Sequence, residues 1–291
     1  MSEVLLTTLA VAASLGLLYA ALALGFALVY GITGESNLAY GDIIVLALIM
    51  SAVVAAATGQ PTLAVLSAIG VTTLGFVVLS TVVIGPLRGS GSALTPIIAT
   101  IGASLIVRNI ALTPFGADDR GYPAILGDGR LVVGTTSLDA PVLAAGAFLA
   151  VVGVAAASIY RRRWGRAVAA VRESRVGARL TGIPVARVVL LVYAVGGALA
   201  GIAGILLAAH TRGVGAELGF RLTLIAFSAS ILGGGTLRGA VAGGMALGVI
   251  AAVAQLLIGS TWADASIYLA LIAVMLARPH GLSRQPSVSR T

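Results

Sequence analysis

Long apolar stretches with few charges recur along the whole chain of 291 residues, and they limit the folds that the chain can adopt. About 20 apolar residues in a helix cross the hydrocarbon of a bilayer. Hydrophobic residues make up 59% of the chain and charged residues 10%, with a mean hydropathy of +1.08. A soluble domain of this length has too little interior to bury so much apolar surface. The sequence therefore predicts an all-α, polytopic membrane protein.

Nine apolar runs predict helices, and together they form a single transmembrane domain over residues 1–291. The runs cover about residues 4–30, 43–57, 62–84, 93–112, 141–160, 188–209, 222–232, 240–258 and 265–276. The run at 222–232 is too short to cross a bilayer alone at about 1.5 Å per residue. The first run follows Glu3 and no cation, which favours a retained helix over a cleaved signal. The prediction is about eight to nine transmembrane helices.

The residue types that the chain lacks argue against ATP hydrolysis, metal binding or other catalysis by this chain. All 18 basic residues are arginines, so no lysine is present to form a phosphate-binding loop for ATP. There is no cysteine, and the two histidines, His210 and His280, are far apart in sequence, which gives no basis for a metal cluster. We therefore expect a protein that is not an enzyme and has no cofactor or metal.

The distribution of arginines predicts the orientation in the membrane. Eight of them lie in the single segment 161–187, as expected for a cytoplasmic loop. Apart from Trp164, this segment has no aromatic residues that could stack on bases, so we expect no nucleic-acid partner. By alternation, the N-terminus and the long polar connection 113–140 lie outside, and the tail 278–291 lies inside.

Two glycine-containing polar breaks interrupt the apolar sequence, one at residues 31–42 (GITGESNLAYGD) and one at 233–239 (GGGTLRG). Interrupted helices in two halves of a transporter often mark a binding region within the bilayer, where unpaired backbone groups bind polar solutes. Alternatively, both breaks are ordinary turns, with Asn37 or Asp42 as a helix cap. The residues alone leave both interpretations open.

The arginine-rich segment 161–187 also permits two interpretations. Its apolar residues predict a short amphipathic helix on the inner face of the membrane, where it could dock a cytosolic partner. The alternative is a solvated loop that only sets the topology. A further arginine, Arg108, lies near the predicted outer end of the fourth run. Snorkelling to the interface accounts for it better than a place in the pathway.

Six segments resemble one known family, the inner-membrane permeases of branched-chain amino acid ABC importers (LivH-like). They are YGITGESNLAYGD (30–42), TIGASLIVRN (100–109), GRAVAAVRESRVGARLTGIPVARV (165–188), GGALAGIAGILLA (196–208), ILGGGTLRGAVAGGMALG (231–248) and LARPHGL (276–282). Each segment is weak evidence alone because it is rich in small residues. Their order and spacing over nearly the whole chain are specific.

The resemblance implies a helical permease of about eight spans in a bacterial cytoplasmic membrane. It would pair with a second permease, either a paralogue or itself, and with two cytosolic ATPases that use the ATP. An extracytoplasmic binding protein would deliver branched-chain or related amino acids at the outer loops, including 113–140. The segment at 161–187 would then be the part that meets the ATPases.

The resemblance, together with the two breaks, also implies particular site residues. The expected substrate-pathway residues are Ser36, Asn37, Tyr40, Gly41, Thr100, Ser104, Gly234 and Thr236. The expected ATPase-coupling residues are Gly165, Arg166, Arg172, Glu173 and Gly182.

The chain departs from the family pattern at positions that bear on the substrate. Tyr40 stands where histidine is common, Glu35 and Ser36 stand where apolar residues are usual, and Arg108 stands where glutamine is frequent. One alternative is therefore an ABC permease for urea, short amides or another small polar solute. A second alternative is a self-sufficient secondary transporter, for which Asp42 is the candidate coupling acid.

Overall fold

The computed structural model describes residues 2–87, 94–116, 120–123, 125, 127, 129–133, 136–160, 162–215, 217–259 and 262–277. The helices are α1 (Ser2–Thr33), α2 (Tyr40–Thr58), α3 (Pro61–Val78), a π-helix (Leu79–Ile84), α4 (Gly85–Leu87), α5 (Leu94–Phe115), α6 (Ala140–Tyr160), α7 (Arg163–Glu173), α8 (Arg175–Leu180), α9 (Val185–Thr211), α10 (Leu218–Leu232), α11 (Leu237–Ile258) and α12 (Ala263–Ala277). The strands are β1 (Arg120–Gly121), β2 (Arg130–Val133), β3 (Thr136–Asp139) and β4 (Gly213–Val214). The fold is all-α, as predicted.

Seven helices in the described part of the chain are long and apolar enough to cross a membrane. Two further apolar helices, α10 and α12, have 15 residues each there. Together they correspond to the nine apolar runs of the sequence. Helix α10 begins four residues before the predicted start at 222 and is still short for a full crossing.

The third apolar run continues past its predicted end at residue 84. The chain stays helical through Gly85 and Pro86 to Leu87, after a π-helical turn at Leu79–Ile84. Proline lacks the backbone N–H that would bond one turn back, and such irregular turns accommodate it. The sequence prediction stopped at Gly85–Pro86 because this pair usually ends a helix.

Helices α1 and α11 run antiparallel and pack closely against each other through small residues. A Cβ atom added at Gly244 would lie 2.4 Å from the backbone of Ala20, and one added at Gly248 would lie 2.2 Å from the backbone of Gly16. Small residues allow helix backbones to approach in this way, and dispersion forces and packing then hold them together.

Helix α9 packs between α1 and α3, and its glycine residues again allow the close approach. Gly196 faces Gly25 and Val29 of α1, while Gly201 faces Ala68 and Thr72 of α3. Most of the second half of α9 is buried as a result. In contrast, many large apolar side chains of α5 and α6 are exposed, as expected for surfaces that face lipid or a partner subunit.

The polar connection between α5 and α6 is tied to two other parts of the bundle. β1 pairs antiparallel with β4, which follows α9, and β2 pairs with β3. The amide of Tyr122 donates to the carbonyl of Arg212 (2.9 Å), and its hydroxyl lies 3.0 Å from that of Ser51 in α2. Helix α5 extends to Phe115, so the predicted loop 113–140 begins inside this helix. The predicted tail 278–291 lies outside the described residues.

We expect Gly248→Ala to destabilise the α1–α11 contact. The added methyl group has no space against the Gly16 backbone, and overpacking of this kind costs about 1–3 kcal/mol. The matched control is Gly153→Ala in α6, where nothing lies within 4 Å of the added atom. The control should be neutral or slightly stabilising, since alanine is the better helix former. Thermal unfolding in detergent checks this, and equal midpoints for the two variants would contradict the packing assignment.

Candidate functional site

The first break lies between α1 and α2 and is shorter than the predicted 31–42. Helix α1 ends at Thr33, residues 34–37 have no regular secondary structure, and a turn leads into α2 at Tyr40. Asn37 Oδ1 accepts a hydrogen bond from the amide of Ala39 (3.0 Å), which fixes this turn. Ala39 is the N-cap residue of α2 and its side chain forms no capping hydrogen bond, so neither Asn37 nor Asp42 is the N-cap residue.

Two other helices supply acceptors for backbone amides at the start of α2. Thr100 Oγ1 of α5 accepts from the amide of Leu38 (3.3 Å). Thr223 Oγ1 of α10 accepts from the amide of Gly41 (2.8 Å). The first amides of a helix have no partner within the helix, and in apolar surroundings they need one from elsewhere. The two threonines therefore connect α5 and α10 to the break.

A buried carboxylate lies one turn into α2. Ser104 of α5 donates from Oγ to Oδ2 of Asp42 (2.5 Å), and the Asp42 residue is only 3% exposed. Asp42 Oδ1 faces Gly219 of α10 so closely that a Cβ atom there would lie 2.3 Å away. An acid between apolar helices is costly and marks a candidate functional site. Asp42, Ser104 and the two threonines thus form one polar cluster where α2, α5 and α10 meet.

Asn37 has a hydrogen-bonding group that is available for a ligand. The residue is 2% exposed, and within the described part of the chain its Nδ2 has no hydrogen-bond partner. Buried polar atoms are nearly always paired, so an unpaired amide donor beside a polar cluster is unusual. It can donate to a carboxylate or carbonyl oxygen. Ser36, the residue before it, is half-buried.

The structure places Tyr40 in the packed core. Its hydroxyl donates to the carbonyl of Leu22 in α1 (2.6 Å), and its ring makes edge contacts with Phe26 and Phe76, with centroids 5.4 and 5.5 Å away. The side chain is fully buried. Tyr40 therefore braces α2 against α1 and α3, whereas Gly41 beside it contributes the amide that Thr223 binds.

The second break is the turn between α10 and α11. Gly234 and Gly235 have φ values of +65° and +66°, which suit glycine. Thr236 is the N-cap of α11 and accepts from the amide of Gly239 (3.0 Å). The carbonyl of Gly235 lies against Gly31 in the last turn of α1. The contacts of this turn are thus with the end of α1, and Thr236 acts as a helix cap.

The arginine-rich segment contains two short helices, α7 and α8. Arg166, Arg172, Glu173 and Gly182 are exposed, and Gly165 is buried where α7 meets the end of α6. Gly182 has a φ of +79° and forms the turn after α8. The segment presents its charged face outward while Val171 and Ala178 pack inward.

One arginine of the segment, Arg175, points inward to the first break. It forms an ion pair with Glu35 (3.0 Å), and Glu35 also accepts a hydrogen bond from the hydroxyl of Tyr193 in α9 (3.0 Å). The sequence prediction did not include this trio among the site residues. The one available signal was Glu35, a charged residue where the family pattern is apolar.

Arg108 pairs with Glu217, the residue that precedes α10. The Arg108 side chain is 30% exposed and that of Glu217 is 84% exposed. The sequence predicts that Arg108 extends to the membrane interface, and in the structure it pairs with the exposed Glu217. Among the described residues, no group of three or more His, Asp or Glu side chains is placed to hold a metal ion.

Comparisons with known proteins agree with this architecture. Residues 8–276 match the family described as branched-chain amino acid transport system / permease component, and the chain belongs to this family. It is similar to the high-affinity branched-chain amino acid transport system permease protein LivH of Salmonella typhimurium, with 31% identity over 95% of this chain and 94% of the relative. The permease protein BraD of the corresponding system of Pseudomonas aeruginosa is 30% identical over 95% of each chain. No solved structure matches the chain.

We expect Thr223→Val to destabilise the fold and Thr223→Ser to retain its stability. Valine removes the acceptor of the buried Gly41 amide, and an unsatisfied buried donor costs about 1–3 kcal/mol. Serine keeps the hydroxyl. The thermal unfolding midpoints of the two variants in detergent check the prediction, and a Thr223→Val midpoint equal to that of Thr223→Ser would refute it.

Proposed function

We propose that this chain is the permease subunit of an ABC importer that moves branched-chain or related amino acids across a bacterial cytoplasmic membrane. The observation that carries the proposal is the match to permeases of such systems over nearly the whole chain. The buried polar cluster beside Asn37 provides the pathway, and the exposed face of α7 and α8 provides the surface for a cytosolic partner. We call residues 161–187 the coupling segment.

Separate subunits supply the energy in this proposal. The chain has no lysine for a phosphate-binding loop, so two cytosolic ATPases would dock on the coupling segment. A second permease, either a paralogue or another copy, completes the pathway, and an extracytoplasmic binding protein delivers the substrate to the outer connections. The arginines of the coupling segment favour a cytoplasmic location for it, and in this proposal the N-terminus is then outside and the C-terminus inside.

The polar cluster suits the two charged ends of an amino acid. Asn37 Nδ2 can donate to the substrate carboxylate, and Asp42 can accept from the substrate ammonium group once Ser104 releases it. Both residues are almost fully buried, so the pathway is closed in this structure. Opening it requires α2 to separate from α5, which breaks the bond between Thr100 and the Leu38 amide, or from α10, which breaks the bond between Thr223 and the Gly41 amide. ATP-driven movement of the coupling segment would drive this separation.

A second candidate is a self-sufficient secondary transporter. The buried carboxylate of Asp42 favours it, because coupling acids in such proteins lie within helices. This candidate requires substrate transport by the purified chain without an ATPase. The ABC importer requires both an ATPase and ATP.

We expect the double variant Arg166→Glu, Arg172→Glu to lose most of its association with the ATPase subunits. Both side chains are exposed on α7. An ATPase surface that is complementary to these arginines carries negative charge, so two glutamates at these positions would be repelled by it. The charge-matched control is Arg212→Glu, Arg221→Glu, at exposed positions outside the coupling segment. Co-purification with the products of neighbouring genes measures the association. Undiminished association of the α7 variant would refute its role in docking.

We expect Asn37→Leu to impair transport while the complex still assembles. Loss of a hydrogen bond to a charged group costs about 1.5–3 kcal/mol, which is roughly a ten- to hundredfold loss in uptake efficiency. The matched control is Asn109→Leu, at an exposed position of α5. ATP-driven uptake of leucine into liposomes containing the complex and its binding protein checks this. Full uptake by Asn37→Leu would make residues 34–39 a simple turn.

A further inference from the structure

Glu35 is held by two separate elements although it lies in the short break after α1. Its Oε1 accepts from Arg175 of α8 (3.0 Å), and its Oε2 accepts from the hydroxyl of Tyr193 of α9 (3.0 Å). The Glu35 side chain is only 10% exposed. A carboxylate with partners on both oxygens has a fixed orientation, so the backbone at Glu35 is fixed relative to α8 and α9.

Arg175 makes a second contact that reinforces the first. Its Nη2 also donates to the carbonyl of Thr33, the last residue of α1 (2.5 Å). The last carbonyls of a helix lack partners within the helix and carry partial negative charge, so a guanidinium group there is favourable. One side chain of the coupling segment therefore binds both the end of α1 and the break that follows it.

This arrangement distinguishes Arg175 from the other arginines around it. Arg166, Arg172 and Arg179 are exposed, whereas the Arg175 side chain is 30% exposed and directed into the protein. Exposed ion pairs contribute little to stability, while a partly buried pair is screened less and loses more when one partner is removed. The Glu35–Arg175 pair is thus a partly buried polar connection between the coupling segment and the break that follows α1.

The connection ends two residues from the candidate pathway. Asn37 follows Glu35 after one intervening residue, and the Asn37 side chain fixes the turn into α2. A displacement of α8 would move Glu35. Because only one residue separates Glu35 from Asn37, Asn37 and the start of α2 would move with it. Tyr193 sets the limit of this movement, because it anchors the same carboxylate to α9.

We propose that Glu35 and Arg175 form a positioning link through which the coupling segment moves the break at Asn37, with Tyr193 as its anchor on α9. This inference rests on the proposed function, since it requires an ATPase that moves the coupling segment. Neither residue touches the substrate in this account. Both act through the position of Asn37 and the start of α2.

The test uses the assembled complex of permease, ATPase and binding protein in liposomes. The variants are Glu35→Gln, Arg175→Gln, the double variant Glu35→Gln, Arg175→Gln, and Tyr193→Phe. Leucine uptake and ATP hydrolysis are measured together, and their ratio is the coupling ratio. The matched control is Glu217→Gln, which removes the exposed partner of another arginine, Arg108.

We expect Glu35→Gln to assemble and hydrolyse ATP but to lose coupling by about fivefold or more, the lower end of typical coupling between sites. Arg175→Gln should reduce the amount of assembled complex, because it removes the guanidinium group that pairs with the mostly buried Glu35 carboxylate. The double variant should recover that amount and keep the coupling ratio of Glu35→Gln alone. Tyr193→Phe should show a smaller loss, and Glu217→Gln none.

Two results would overturn the link. One is a wild-type coupling ratio in assembled Glu35→Gln complex, and the other is losses that add fully in the double variant. If Glu35→Gln prevents assembly of the complex, two other measurements decide. The link is overturned if Tyr193→Phe has the wild-type coupling ratio and the assembly losses of Glu35→Gln and Arg175→Gln add in the double variant. If the wild-type chain shows no ATPase association or ATP-driven uptake, the proposed function fails instead, so the two failures are distinct.

The absence of cysteine from the chain allows a direct test of joint movement. The variant Glu35→Cys, Arg175→Cys can be cross-linked with a short bifunctional methanethiosulfonate, and this chain has no other thiol that could react. If the two positions move together, the cross-link should preserve uptake or restore what the two substitutions lose. Loss of uptake on cross-linking that a reductant reverses would show that they separate during transport, which contradicts the link.

Discussion

The arrangement of the bundle depends on the need to pair backbone groups where the helical chain breaks inside an apolar interior. Lipid offers no hydrogen bonds, so each amide at the start of α2 that has no partner within the helix must find one elsewhere in the protein. Thr100 and Thr223 meet this need from α5 and α10, and Asn37 meets it within the turn. These few bonds determine which helices surround the break, and they place Ser104 against Asp42.

The bundle combines a tightly packed part with a more separable one. Helices α1, α9 and α11 contact through glycine backbones, and such interfaces resist displacement because nothing can shift without a clash or a void. The contact of α2 with α5 is looser: Thr100 of α5 accepts a hydrogen bond of 3.3 Å from the amide of Leu38. In contrast, α2 and α10 also meet through glycine backbones, at Gly41 and Gly219. A pathway that opens between α2 and α5 can therefore move while the glycine-packed helices stay in place.

The sequence predicts the helices well because apolar length and glycine-containing breaks are local signals, and both breaks lie where polar residues interrupt the runs. It predicts side-chain partners poorly, since Ser104 and Asp42 are 62 residues apart and Arg175 and Glu35 are 140 apart. Thr223 lies inside an apolar run and gave no signal. The core packing of Tyr40 and the capping of α11 by Thr236 also depend on contacts that their motifs did not predict.

The Glu35–Arg175 pair shows why two charges can appear together at one place in an apolar protein. The end of a helix carries partial negative charge, so Glu35 alone, two residues after α1, would be repelled there and poorly hydrated. Arg175 offsets both effects because it pairs with the carboxylate and binds the Thr33 carbonyl at the same time. Arg175 alone would lose its charged partner but keep the carbonyl, which costs less. Glu35 therefore depends on Arg175 more than the reverse, and this asymmetry follows from the position of the pair at the end of α1.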